Sequence, residues 1–361
     1  MSARQNAMRK PKKVLVTGGC GFIGSNYLLR HVMSHRDIQF LNLDALTYAA
    51  NPMNLASLDG EANYRFVQAD ICDASAVNQI VTDLAPDWIV HFAAESHVDR
   101  SIADPDAFLK TNVIGTMHLL QAARAVWKQG DAGLFHHVST DEVYGSLGPE
   151  GVFTEETAYD PSSPYSASKA ASDHLVRAFG RTYGMPTVIT NCSNNYGPYQ
   201  FPEKLIPLMI LNAAEGQRLP VYGTGANIRD WLYVEDHVDA LWLVAERGRT
   251  GETYNIGGES EKSNLDVVHA ICDLIAEYRH REPADVRSQV EFVADRPGHD
   301  LRYAVAIDKI RQELGWRPRM SFEEGLRRTV GWYLAQTEWT ESVRSGAYKS
   351  WIAKQYGGAH A

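Results

Sequence analysis

The chain has 361 residues, 44% hydrophobic and 22% charged, the balance of a folded globular protein of about two domains and not of a disordered chain. With 35 Lys and Arg against 44 Asp and Glu the formal net charge is −9, which excludes a broadly basic face of the kind that coats nucleic acid or an anionic membrane. No apolar run reaches the roughly 18 residues of a membrane span, and the polar, basic stretch Met1 to Lys13 has no apolar segment behind it, so a secretory signal is not expected.

The first strand, Val14–Thr17, runs into Gly18-Gly19-Cys20-Gly21-Phe22-Ile23-Gly24, followed by a helical pattern over Ser25–Met33. Glycines at this spacing allow a tight turn, close approach to a pyrophosphate and close helix packing, with the phosphates at the helix N-terminus. A glycine-rich turn without a ligand is the alternative. A second strand, Phe40–Asp44, ends in Asp44, 20 residues after Gly24. A carboxylate there accepts from both ribose hydroxyls and repels a 2′-phosphate, so NAD is expected over NADP. After a third strand, Tyr64–Val67, Asp70 and Ile71 are suited to the adenine edge; Asp70 could equally cap the helix Ala74–Leu84. The fourth strand, Trp88–Phe92, leads into Ala93, Ala94, Glu95 and Ser96, small residues that let the backbone approach a cofactor.

A helix is expected over Val113–Trp127 and a fifth strand over Leu134–Val138, followed by Ser139-Thr140-Asp141-Glu142. Ligands bind at such strand ends in a parallel sheet, and here a hydroxyl and two carboxyls offer a donor, an acid and a base. A solvated acidic turn is the alternative. Ser162-Ser163-Pro164 reads as a helix start, which sets Tyr165 and Lys169 four residues apart on one face. A lysine ammonium near a phenol favours the phenolate, so Tyr165 can serve as a base. A sixth strand covers Thr187–Thr190; beyond residue 196, Pro and Gly punctuate a more irregular lobe.

Strands alternating with helices give the expected fold class: α/β, a Rossmann-type doubly wound parallel sheet with a smaller, irregular α/β C-terminal substrate lobe. Residues 11–195 form the first domain, with 226–256 returning to it; 196–225 and 257–355 form the substrate lobe; 1–10 are a disordered lead-in. Cys20, Cys72, Cys192 and Cys272 lie far apart, so no metal site and no disulfide framework is expected, and reduced thiols suit a cytoplasmic protein. His91, His136 and His137 lack ligand-like spacing and read as packing or supporting residues.

Taken together, Gly18–Ser25, Phe92–Ser101, Ser139–Tyr144, Tyr165–Lys169, Thr190–Pro198, Phe201–Pro207, Asn227–Asp236, Tyr254–Gly258 and Asp295–Asp300 closely resemble the extended short-chain dehydrogenase/reductases and, within them, the dTDP-glucose 4,6-dehydratase family. The Thr140-Asp141-Glu142 triplet is the specific part, since related 4-epimerases and decarboxylases usually carry small or hydroxyl residues at the acidic pair. The resemblance implies an NAD-dependent hydro-lyase acting on dTDP-glucose. Tyr165 would take the O4 proton as C4 is oxidised, Lys169 would lower the tyrosine pKa and hold the nicotinamide ribose, and Thr140 would bind near O4. Glu142 would remove the C5 proton, Asp141 would protonate the leaving C6 hydroxyl, and NAD would be retained.

The same resemblance implies Phe22, Ile23, Thr111 and Asn195 at the cofactor, and Ser96, Asn194, Glu203, Asn264 and His299 around the sugar nucleotide. Arg229 is the candidate bidentate clamp for its pyrophosphate, with Lys204 and Arg296 as further cations; a surface ion pair is the alternative for Lys204. A homodimer pairing Val113–Trp127 and Tyr165–Tyr183 is implied, as is a product used in deoxysugar assembly such as dTDP-rhamnose for polysaccharide. The rival readings are an epimerase or decarboxylase on the same fold, and a non-catalytic NAD-binding regulator.

Overall fold

A computed structural model describes residues 8–127, 133–295 and 298–344. The apolar runs of the first half form strands β1 (Lys13–Thr17), β2 (Gln39–Asp44), β3 (Tyr64–Gln68), β4 (Trp88–His91), β5 (Leu134–Thr140) and β6 (Thr187–Cys192). The shorter strands of the second half are β7 (Asn194–Tyr196), β8 (Leu219–Tyr222), β9 (Ile228–Tyr233), β10 (Thr253–Ile256), β11 (Glu261–Ser263) and β12 (Val290–Val293). Seven strands make one parallel sheet in the order β10-β6-β5-β4-β1-β2-β3. The order reverses direction between β1 and β4, the place where a doubly wound sheet opens a crevice at its carboxyl edge.

Most strands of this sheet are buried on both faces, which is why they read as continuous apolar runs. One core packs Val14, Val16, Trp88 and Val90 against the helices Phe22–Ser34 and Val234–Arg247; another, across the sheet, packs Leu15, Ile89, Phe135 and Ile189. A third core, around Met209, Val267, Ile271, Leu326 and Tyr333, holds the second lobe together. Among the described residues no helix is long and apolar enough to cross a membrane.

Several expectations are corrected. Arg9, within the lead-in expected to be disordered through residue 10, donates from its backbone N to Glu246 O (2.9 Å) and from Nε to Ala245 O (2.8 Å), docking on the exposed carbonyls at a helix end. Met1–Ala7 and the part of the expected lobe beyond Arg344 lie outside the described residues. β9, expected to return to the first domain, serves both lobes: Leu232 enters the first core while Trp231 and Tyr233 enter the third, the alternation of a strand packed on two sides. Ile307, Ile310 and Trp316, assigned to the substrate lobe, pack into the first core. The helix expected from Val113 becomes regular only at Thr116, because Leu109–Gly115 takes wider turns where Gly115 lies against Ile71. β5 runs on to Thr140, with Ser139 and Thr140 paired to Asn191 and Cys192 of β6.

Candidate active site

The glycine loop leaves β1 at Gly18, whose φ of +74° lies in the left-handed region; a Cβ there would stand 2.6 Å from Ala93 N. A Cβ on Gly24 would stand 2.3 Å from Gly18 O, so the third glycine lets the helix Phe22–Ser34 close onto the loop. That helix has Gly21 as N-cap, no side-chain cap and no acidic residue in its first turn. A bare loop in front of unoccupied first-turn amide groups, with an acid at the next strand end, fits the pyrophosphate and ribose of a dinucleotide.

Asp44 fixes this cradle. Its Oδ2 accepts from Cys20 N and its Oδ1 from Leu46 N, both at 2.8 Å, and burial raises its pKa despite those bonds. The helix Ala74–Leu84 is capped by Asp73, through Ser75 N and Ala76 N, so the alternative role for Asp70 falls away; Asp70 instead accepts from Cys72 N at 2.8 Å. Gly18, Gly21, Phe22, Ile23, Gly24, Asp44, Asp70, Ile71, Ala93, Ala94, Ser96 and Thr111 all line one cavity.

The far end of the same cavity holds Thr140, Asp141, Glu142, Tyr165, Lys169, Asn194, Asn195, Glu203 and Lys204. β5 ends in Thr140, whose Oγ1 accepts from Glu142 N (3.3 Å) and starts a tight turn, Asp141–Tyr144, that brings both acids to the sheet edge. Ser163 caps the helix Pro164–Tyr183 in a reciprocal box with Ser166, with Pro164 in the first turn, and this sets Tyr165 at the cavity wall. His237 Nδ1 lies 2.8 Å from Asn195 Oδ1 and orients that amide from behind.

The two acids differ. Asp141 is buried, and its pKa is raised well above the carboxylate range by burial first, then by the charges of Glu142 and Asp230, against a smaller opposing effect of Arg229 and Thr140. Its Oδ2 is buried with no partner. Glu142 is only partly buried. Asp141 is therefore the group that holds a proton and Glu142 the one suited to accept one.

Burial raises the pKa of Tyr165 well above the ordinary value, the charge of Glu142 adds to this, and the opposing influence is a hydrogen bond with Thr140. Lys169, one turn further along the same helix face, donates its ammonium to Val138 O at 2.9 Å and lies 3.3 Å from His137 Nε2.

A second cavity is lined by Arg229, Asn264, His299, Trp231, Tyr222 and Tyr303, and shares Glu142, Asn194, Glu203 and Lys204 with the first. Arg229 does not present an open fork: Nη1 donates to Ile228 O (2.7 Å), Nη2 to Asp300 O (3.0 Å), and the guanidinium stacks on Tyr303. Glu203 is likewise engaged, accepting from Tyr48 OH (2.9 Å) and Arg100 Nε (3.1 Å), and Lys204 Nζ donates to Ser96 O (2.9 Å), so no surface ion pair is needed to explain it. These bonds tie the loops of the first lobe to the second. Arg296 lies outside the described residues.

Tyr48, Arg100, Tyr303 and Asp173 were not singled out from the sequence. For Asp173 there was a signal, its place four residues after Lys169 on the same helix; the other three meet the site only through the fold. Among the described residues no group of side chains suits a metal ion.

The family model described as GDP-mannose 4,6 dehydratase matches residues 15–329. A dTDP-glucose 4,6-dehydratase of Shigella flexneri is 57% identical over 360 residues, covering 96% of this chain and 99% of the relative. The crystal structure of a dTDP-glucose 4,6-dehydratase from Bacillus anthracis, in complex with NAD, superposes with a TM-score of 0.82 at 45% identity, covering 92% of this chain and 99% of that one. A UDP-glucose 4-epimerase from Thermus thermophilus, also complexed with NAD, gives 0.80 at 27% identity over 90% and 100% of the two chains.

Proposed function

The chain belongs to the GDP-mannose 4,6 dehydratase family, and we propose that within it the protein converts dTDP-glucose to dTDP-4-keto-6-deoxyglucose and water. The observation that carries this reading is the pair Asp141 and Glu142, one buried and held protonated, the other open to the cleft, beside Tyr165 at the end of the glycine-loop cavity. NAD, when bound, supplies the two-electron acceptor for C4 and the donor for C6. Gly18, Gly21 and Gly24 would hold its pyrophosphate, Asp44 its ribose and Lys169 the ribose beside the nicotinamide.

The chain's own groups then act in sequence. Tyr165, with Thr140 favouring its phenolate, takes the proton from O4. The C4 ketone makes the C5 proton acidic, and Glu142 removes it. Asp141 gives its proton to the C6 hydroxyl, which departs as water. Asp141, held protonated by its burial, starts in the state the elimination requires of the acid. Arg229 and Lys204 bring positive charge to the second cavity for the sugar-nucleotide pyrophosphate, with Ser96, Asn194, Glu203, Asn264 and His299 around it. Local cations of this kind reverse the field inside a cleft although the whole chain carries −9.

A 4-epimerase shares the fold and the Tyr–Lys pair, but epimerisation expels no water and gives the two carboxyls no task. A cytoplasmic homodimer completes the reading. Cys20, Cys192 and Cys272, free and buried, suit a reducing compartment. Ile114 and Tyr183, apolar and exposed along the helices expected to pair, suit a covered face. The test is incubation with dTDP-glucose and with UDP-glucose, without added NAD, followed by mass analysis. Loss of one water from dTDP-glucose is expected; an isomeric product of unchanged mass would overturn the assignment.

A further inference from the structure

The helix Pro164–Tyr183 carries Tyr165, Lys169, Asp173 and Arg177 at steps of four residues, a single stripe along its inner face. Asp173 is wholly buried one turn behind Lys169, and no step of the reaction uses it. Its Oδ2 accepts from Ser139 Oγ (2.9 Å) and Tyr159 OH (2.8 Å). Its Oδ1 lies 3.3 Å from His137 Nε2, and the same nitrogen lies 3.3 Å from Lys169 Nζ and 3.1 Å from Ser172 Oγ. Lysine, imidazole and carboxylate thus form a continuous buried chain.

A buried ammonium is costly without a compensating charge. The titratable groups that face Lys169 are His91 from β4, His137 from β5, Cys192 from β6 and, on its own helix, Tyr165 and Asp173. Asp141, beyond Cys192, is held protonated. Around Asp173 stand Ser139, His137, Tyr144, Tyr159 and Arg177. Of these groups, Asp173 is the carboxylate held below its ordinary range: the contact with His137, the charge of Lys169 and the hydrogen bond from Ser139 outweigh its burial and keep it ionised. Burial lowers Lys169 to about 8, and Asp173 is the first-ranked influence against that fall. Burial lowers His137 to about 4, so a neutral ring is packed between the two, its Nε2 3.3 Å from each.

We propose that Asp173 is a positioning residue of the active site, the buried counter-ion that keeps the Lys169 ammonium charged and in place, with the neutral His137 ring packed between them. The proposal rests on the reading that Lys169 serves Tyr165 and the nicotinamide ribose. It is distinct from catalysis by Asp173 itself, which touches no reacting atom.

The test is the pH dependence of kcat on dTDP-glucose for the NAD-loaded wild type and for Asp173→Asn, Asp173→Glu, Asp173→Ser and Lys169→Met, with thermal melting of each. Removing the negative charge lowers the lysine pKa, so the alkaline limb of kcat in Asp173→Asn moves down by about one pH unit or more, with KM within about threefold and most of the effect restored by Asp173→Glu. A limb left at the wild-type position, or a loss equal at every pH, overturns the proposal. If Asp173→Asn does not fold, Asp173→Ser, which also removes the charge and leaves room for water, decides: the limb moves in the same direction, and an unmoved limb overturns the proposal. Full activity of Lys169→Met would sink the underlying reading instead. Inactive Lys169→Met with an unmoved profile in the folded Asp173 variant would sink the counter-ion alone.

Discussion

Asp141 and Glu142 are neighbours in the chain, yet one carboxyl is sealed from water with an unpartnered oxygen while the other sits partly exposed where two cavities meet. The tight turn that follows β5 turns one side chain inward and the other toward the cleft. Two chemically similar groups thereby acquire different surroundings.

Replacing Glu142 with Gln removes the base and leaves the volume unchanged. Exchange of the C5 proton with solvent deuterium is expected to fall by roughly 10²–10⁴-fold while C4 oxidation persists, seen as accumulation of reduced nicotinamide. Full turnover of the variant would refute the assignment.

Asp141→Asn separates stability from activity. Because the folded state raises this carboxyl's pKa, the wild type loses stability as pH rises above the unfolded value and through the folded one. The neutral amide escapes that loss. The variant is expected to melt about 2–4 °C above wild type at pH 8, with the gap closing toward pH 4, while kcat drops by roughly 10²-fold or more. Parallel melting curves at all pH values would contradict the raised pKa.

Gly18→Ala places a methyl where Ala93 N already lies 2.6 Å away, at a φ of +74°. Retained NAD, assayed after denaturing the purified protein, is expected to fall to trace levels, with a stability loss of roughly 1–3 kcal/mol by urea titration.

Arg100→Ala leaves Glu203 buried with Tyr48 as its remaining strong donor. The tie between the lobes loosens, and the protein is expected to lose roughly 1–3 kcal/mol of stability and to release NAD on dialysis faster than wild type. Unchanged NAD retention would confine the clasp to a folding role.

Arg229→Ala is expected to raise KM for the sugar nucleotide by roughly 10–100-fold with kcat within a few-fold, measured by steady-state kinetics. A loss confined to kcat would argue that Arg229 acts by holding the Asp300–Leu301 backbone near Tyr303 and not by binding phosphate.

Much of the site was legible because it is written in short spacings. Gly18, Gly21 and Gly24 sit around one turn, Ser163 and Pro164 start one helix, and Tyr165 and Lys169 share one face of it. Local steric and hydrogen-bonding rules act over such distances. The clasp was not legible, since Tyr48 and Glu203 are 155 residues apart and neither segment announces the other. The double duty of β9 was hidden for the same reason: alternation shows that a strand has two faces but not which cores they meet.

The sequence by itself determined the fold class, the cradle expected to take the cofactor and the list of groups able to move protons, because each depends on residue type and near-neighbour spacing. Only the tertiary structure decided which acid keeps its proton, that Lys169 rests on Val138 O, and that Arg229 and Glu203 are already engaged. Ionisation and hydrogen bonding depend on burial and on charges within a few ångströms, and β4, β5, β6 and the helix Pro164–Tyr183 bring those charges together from distant parts of the chain.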